Sequence, residues 1–251
     1  MSGAALPPLA ADWAFFLDID GTLLEHAERP DAVTVDGAMR RLLSDLNEGA
    51  GGALALISGR SVADIDGLFA PLVLPAAGQH GAERRDASGR IHRHPYDAAP
   101  VRRAAERIGA YAAAHPQLVF EDKGQNLALH YRLAPQLADE VGELMRDVAN
   151  GLGAAFELQR GKMVLEIRSG GRDKGSAIAE FMQEPPFHGR TPVFIGDDLT
   201  DEFGFGVVND LGGVSVKVGD GSSRARWRIA DAASVRAWLG EWTGRYVRRR
   251  A

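Results

Sequence analysis

The chain has no cysteine among its 251 residues. That excludes a disulfide framework, a thiolate metal centre and a cysteine nucleophile, and it makes a reducing compartment, the cytoplasm, the expected setting. Long apolar runs are also missing. None approaches the roughly 18 residues of a membrane-crossing helix, so no membrane partner is expected. Nor is there a basic excess: 29 lysines and arginines face 34 acids, a net charge of −5. This argues against a nonspecific nucleic-acid binder, which needs a basic footprint. Met1 to Ala11 is small and apolar without a basic start, and reads as a disordered lead rather than a signal peptide. The basic run from Arg245 to Arg250 reads as a solvated helix end that complements the helix dipole, rather than a binding tail. No internal repeat or low-complexity tract is present.

What is present is a repeated exchange of apolar strands and amphipathic helices. Residues 13–17 (Trp-Ala-Phe-Phe-Leu) predict a buried strand. Residues 36–48 have helical spacing, with Met39, Leu42, Leu43 and Leu46 on one face. Strands are expected at 53–57 and 72–76, with a short helix between them capped by Ser61 and carrying Val62, Ile65 and Leu68. Such a pattern suggests a parallel sheet covered on both faces.

The character changes near residue 84. Glu83 to Arg93, with Ser88-Gly89 inside it, reads as a hairpin. An Ala-rich helix (97–114), strands at 117–121 and 126–132, a helix near 135–149 and strands near 154–158 and 162–168 follow. Together they predict an antiparallel sheet with two helices, and Ser169-Gly170-Gly171-Arg172 marks the exit. The first pattern then resumes, with a helix at 174–183, a strand at 193–195, a helix from about Thr200, a strand at 214–218 and a helix at 232–246. The expected fold class is α/β: a Rossmann-like core with a parallel sheet, 1–84 and 169–251, interrupted by an inserted α+β module, 85–168.

Asp18-Ile19-Asp20-Gly21-Thr22 directly follows the first strand. Positions i and i+2 of a strand share a face, and two carboxylates there repel unless a cation lies between them or one is protonated. The arrangement weakens a strand end, yet it suits a nucleophile beside a general acid. A solvated loop with incidental acids is the plainer alternative. Ile57-Ser58-Gly59-Arg60 ends the second strand; its hydroxyl can donate to a phosphate oxygen or simply cap a helix. Asp173-Lys174-Gly175 sets a lysine at a helix start, against the dipole, which suggests an anionic partner. Gly196-Asp197-Asp198-Leu199-Thr200-Asp201 places three acids after another strand. Ligands of open α/β sheets bind beyond the carboxyl ends of the strands, so these segments are expected to converge on one crevice.

The order D-x-D-G-T, S-G-R, K-G and G-D-D-x-T-D resembles the haloacid dehalogenase superfamily of phosphatases, and the insertion looks like its type C2 cap. Further segments narrow the likeness: Gly78-Gln79-His80-Gly81-Ala82-Glu83 before the insertion, and Glu121-Asp122-Lys123-Gly124, His130-Tyr131-Arg132 and Gly161-Lys162-Met163-Val164-Leu165-Glu166 within it. These resemble the trehalose-6-phosphate phosphatases of that superfamily. Asp173 departs from the pattern, where asparagine is expected.

The resemblance implies Mg²⁺-dependent hydrolysis of a sugar phosphate, trehalose 6-phosphate, through an aspartyl-phosphate. It implies Asp18 as nucleophile and Asp20 as acid and base; Asp18, the Asp20 carbonyl and Asp197 as Mg²⁺ ligands; and Gly21, Thr22, Ser58, Gly59 and Lys174 around the phosphoryl group. Asp198 and Asp201 would support the metal and Lys174 from behind. Glu121, Lys123 and Glu166 would contact the sugar. From the residues alone, Glu121 and Lys123 read equally as a surface cross-pair, and a structural role is open for His80, His130 and Arg132. Another sugar phosphatase, acting on a sucrose or mannosyl phosphate, and an inactive sugar-phosphate-binding regulator are the alternatives. A monomer is the expected state.

Overall fold

The computed structural model describes residues 6–25, 33–161 and 163–247. Residues 1–5 of the expected N-terminal lead, and Arg248 to Arg250 of the basic end, lie outside them. Among the described residues no helix is long and apolar enough to cross a membrane.

The chain forms two compact units, 1–93 with 173–251, and 94–172. The first is built on strands β1 (Trp13–Leu17), β2 (Leu54–Ile57), β3 (Ala76–Gly78), β4 (Glu83–Arg85) and β5 (Ile91–Arg93). Helices α1 (Gly37–Gly49) and α2 (Val62–Phe69) connect the early strands. In the second unit, α3 (Ala98–Ala113), β6 (Val119–Asp122), β7 (Leu127–His130), α4 (Ala138–Leu152), β8 (Phe156–Gly161) and β9 (Val164–Ser169) follow. The first unit resumes with α5 (Lys174–Phe181), β10 (Thr191–Gly196), α6 (Asp201–Asp210), β11 (Val214–Val218), β12 (Trp227–Ile229) and α7 (Ala232–Tyr246).

The first unit's sheet runs β12-β11-β10-β1-β2-β3-β4-β5. Pairing is parallel from β12 through β3 and antiparallel at β3-β4 and β4-β5. β1 and β10 lie side by side in register, Leu17 opposite Ile195. Asp18 and Asp197 thus leave adjacent strand ends, as the rule for open sheets requires. Every residue of β1, β2 and β11 is buried; β1 and β2 are accordingly continuous apolar runs, whereas β11 carries Ser215 and Lys217 between its valines. Helix α1 is started by Asp36, whose side chain accepts from the Met39 N–H, and α2 by a reciprocal capping box between Ser61 and Asp64.

Two expectations need correction. The strand foreseen at 72–76 lies at Ala76–Gly78. Pro75 has no N–H to give a ladder; its carbonyl receives the Leu56 N–H. The hairpin from Glu83 to Arg93, assigned above to the inserted module from residue 85, instead extends the parallel sheet as β4 and β5. Its charge misled the reading, because Arg84 and Arg85 are buried. The Arg85 guanidinium binds both Asp66 oxygens at 2.6 and 2.7 Å and the Leu74 carbonyl. Arg84 holds Glu184 in the same forked way at 2.8 and 2.9 Å and lies over the Phe181 ring. Planar forked pairs let a guanidinium be buried with its donors satisfied.

The second unit has an antiparallel sheet, β6-β7-β9-β8. Leu127, Leu129, Leu165 and Ile167 join Val101, Ile108, Val141 and Met145 of α3 and α4 in its core. The alternate residues, among them Ala128 and Glu166, take the opposite face.

Candidate active site

Asp18 follows β1, its N–H bonded to the Ile195 carbonyl at 3.0 Å. Only 4% of it is exposed. Its Oδ1 accepts from Lys174 Nζ at 2.7 Å. Its Oδ2 is buried and has no hydrogen-bond partner among the described residues. An orphan carboxylate oxygen is costly, so its presence marks a site held ready for something else. Burial pushes the Asp18 carboxyl well above the ordinary carboxylate range; Lys174 opposes this, while Asp201 and Asp197 add to it.

Lys174 opens α5. Asp173 caps that helix by accepting from the Ser176 N–H at 2.7 Å, and Ser176 Oγ returns a bond to the Asp173 N–H at 3.0 Å. An acid at this position is thereby explained: either Asp or Asn can cap. The Lys174 ammonium lies between Asp18 at 2.7 Å and Asp201 at 2.6 Å, with all three side chains buried. Burial would lower its pKa, but the two acids outweigh burial and hold it above the ordinary lysine value. Within the chain this lysine's anionic partners are Asp18 and Asp201.

Asp201 is fully buried. Its Oδ2 accepts the N–H groups of Asp197 and Asp198, both at 2.8 Å, and its Oδ1 takes Lys174. It organises the turn after β10, and burial pushes its carboxyl upward against Lys174. Asp197 Oδ1 receives the Thr22 hydroxyl at 3.4 Å. Oxygens of Asp18, Asp197 and Asp201 all lie within 4.8 Å of one another. Hard carboxylate oxygens at this spacing, one of them orphaned, fit a hard divalent cation. Because both Asp201 oxygens are engaged, Asp18 and Asp197 are the better ligands. Asp198 stands apart: it is exposed, and its Oδ1 accepts the Leu199 N–H at 2.6 Å.

Asp20 is not one of these three grouped acids. Arg60 grips it with two bonds, Nε to Oδ2 and Nη2 to Oδ1, each 2.7 Å. The Arg60 N–H donates to Ser58 Oγ at 3.1 Å, which sets the buried Ser58 hydroxyl beside the same turn. Sequence reasoning named the Arg60 motif but gave the residue no task. It also passed over Lys217, a buried lysine on β11. The Lys217 ammonium donates to the Asp197 carbonyl, and to that of Val218 at 3.1 Å. A lysine between two valines of an expected strand was the available signal.

In the second unit, Glu121 and Glu166 both stand opposite Ala128, so β6, β7 and β9 bring them to one face. Lys123 Nζ lies 3.1 Å from Glu166 Oε1 and 3.7 Å from Glu121 Oε2. His130 Nε2 is 3.2 Å from Glu121 Oε2. Burial raises the Glu121 pKa, but His130 and Lys123 outweigh it and bring the carboxyl below its usual value. Acceptors and donors thus share one row, the combination that hydroxyl groups require.

A family model described as trehalose-phosphatase matches residues 16–235. The chain is 48% identical over 233 residues to the trehalose-6-phosphate phosphatase of Escherichia coli (strain K12), covering 93% of this chain and 87% of that one. It is 46% identical over 227 residues to a probable trehalose-phosphate phosphatase of Sinorhizobium fredii, covering 90% and 85%. The crystal structure of a trehalose-6-phosphate phosphatase related protein superposes with a TM-score of 0.79 at 29% identity, covering 94% of this chain and 99% of that one.

Proposed function

The chain belongs to the trehalose-phosphatase family, and from that membership we propose that it hydrolyses trehalose 6-phosphate to trehalose and inorganic phosphate in the cytoplasm. The observation that carries the chemistry is the Asp18 carboxylate, anchored through Oδ1 by Lys174 and bare at Oδ2.

Asp18 Oδ2 attacks phosphorus, forming an acyl phosphate as the bond from phosphorus to the sugar oxygen breaks. Lys174 fixes the carboxylate's direction, which converts a chance encounter into a near-attack geometry. Asp20 gives its proton to the departing oxygen. It then takes a proton from water as the water attacks the acyl phosphate, regenerating Asp18 and releasing phosphate. Division into two easier steps is what a covalent intermediate supplies. Arg60 donates to both Asp20 oxygens, so an acid hydrogen on either oxygen would face one of these N–H groups. Asp20 therefore enters the first step only after giving up at least one of its bonds to Arg60. Ser58 and Gly59, with the turn of Gly21 and Thr22, are proposed to surround the phosphoryl oxygens; the Gly21 and Thr22 N–H groups themselves donate to the carbonyls of Leu24 and Ile19 at 2.7 and 3.4 Å.

Mg²⁺ is the proposed cation, held by the Asp18 and Asp197 carboxylates and the Asp20 carbonyl, and when bound it would offset the negative charge where phosphate and carboxylates meet. Asp201 supports that arrangement through Lys174 and the turn after β10. Glu121, Lys123 and Glu166 are proposed to bind sugar hydroxyls.

The test is phosphate release from trehalose 6-phosphate, glucose 6-phosphate and sucrose 6-phosphate, with Mg²⁺ and with a chelator. Trehalose 6-phosphate should turn over fastest, and only with the cation. Preference for another ester would move the substrate; no turnover of any ester would leave a sugar-phosphate-binding protein.

A further inference from the structure

The segment Gly78 to Glu83 has no task in the reaction above, yet its backbone is unusual. Gln79, His80 and Gly81 have φ of 50°, 56° and 99°. Three consecutive left-handed residues, two of them not glycine, are held only where the surroundings over-determine them, commonly beside functional sites.

The contacts show what this turn holds. The Gln79 N–H donates to the Arg60 carbonyl at 2.8 Å, and the His80 N–H to the Ser58 carbonyl at 3.0 Å. The buried His80 ring lies against Gly59: a methyl built on Gly59 would sit 2.6 Å from Nε2 and 2.8 Å from Cε1. On its far side the turn meets the other phosphate-side segment. A methyl built on Gly81 would stand 2.7 Å from the carbonyl of Asp173, the residue before Lys174. Glu83 Oε1 accepts the Val62 N–H at 2.7 Å and so pins the start of α2. Ser58, Gly59 and Arg60 are therefore bracketed by one turn, with the imidazole as its wedge.

We propose that His80 is a positioning residue. Its ring, set against Gly59, places Arg60, and through Arg60 the carboxylate of Asp20. The inference rests on Asp20 acting as acid and base in the reaction proposed above.

A structural prop and a positioning wedge differ in which substrates they affect. kcat/KM reports events up to loss of the first leaving group. A sugar alcohol needs a proton to leave, whereas p-nitrophenolate does not. His80→Asn keeps a residue that tolerates left-handed backbone and removes the ring. It should lower kcat/KM for trehalose 6-phosphate about tenfold to a hundredfold, the scale of a misplacement near 1 Å. For p-nitrophenyl phosphate it should leave kcat/KM within about threefold. Gly59 has no positive φ, so alanine is allowed there by its backbone. Gly59→Ala crowds the same ring from the other side and, because Gly59 also adjoins the phosphoryl group, should slow both esters. The double variant should turn over trehalose 6-phosphate faster than Gly59→Ala, because removing the ring vacates the space the new methyl needs. Asp20→Asn, measured in parallel, must show the selectivity for the reading of Asp20 to stand. If it does and His80→Asn lowers both esters equally or neither, or if the double variant is no better than Gly59→Ala on trehalose 6-phosphate, the positioning role is overturned.

Discussion

Asp18→Asn separates catalysis from stability. Lys174 sits between two buried carboxylates, 2.7 Å from Asp18 and 2.6 Å from Asp201. Two negative charges on one positive charge leave a net negative charge in a dry place, and Asp197 adds to it. Burial raises the Asp18 pKa in the folded chain, so ionising this group opposes folding. Asparagine keeps the shape and an oxygen that accepts from Lys174, and leaves a neutral Lys174–Asp201 pair. In chelator near pH 7 the variant should be more stable than the wild type by about 0.5–2 kcal/mol, the usual gain from relieving a strained functional site. For a chain of this size that raises the melting temperature by roughly 1–8 °C.

The sign with pH follows. Below about pH 3.9, the ordinary carboxylate value, Asp18 is protonated in both states and the two proteins should converge. The gap should open as pH rises from there through the elevated folded value. Turnover, by contrast, should fall at least about a thousandfold, since only binding and electrostatic contributions remain. Thermal melts by circular dichroism, with phosphate release on the same samples, test both halves. A variant less stable than wild type by more than about 1 kcal/mol refutes the charge reasoning. Turnover near wild type refutes Asp18 as nucleophile.

Lys174→Met should do the opposite to stability. It strands two buried acids, at a cost of about 3–5 kcal/mol, visible as a melting temperature lower by roughly 6–20 °C. Mg²⁺ should raise the wild-type melting temperature, because it binds the folded site alone. Asp197→Asn should shrink that rise, which melts with and without Mg²⁺ would show; an undiminished rise would place the cation elsewhere. Alanine at Glu121, Lys123 or Glu166 should lower kcat/KM for trehalose 6-phosphate by about 1–3 kcal/mol of transition-state binding, as unpaired polar groups do, and should spare p-nitrophenyl phosphate. Equal loss on both esters would assign these residues to folding.

How much was legible depended on whether the deciding contact was local. β1, β11 and α7 could be read to the residue, since each is a single period over five or more positions. The carboxylate pair after β1 and the acids after β10 stood out because motif and strand end coincide in sequence. β12 escaped because three residues carry no readable period. The β4-β5 hairpin was given to the wrong unit because Arg84 and Arg85 look exposed until Glu184 and Asp66 come to meet them.

The sequence by itself determined the α/β class, the interrupted core and the residue types at the strand ends, all consequences of short-range periodicity and turn chemistry. Only the tertiary structure decided who holds whom. Lys174 meets Asp18 across 156 positions, Arg60 clamps Asp20 across 40, and His80 wedges against Gly59. A pairing between distant charges leaves no mark on either partner's neighbours. It exists only once a buried sheet brings the strand ends together and strips the water that would otherwise screen them.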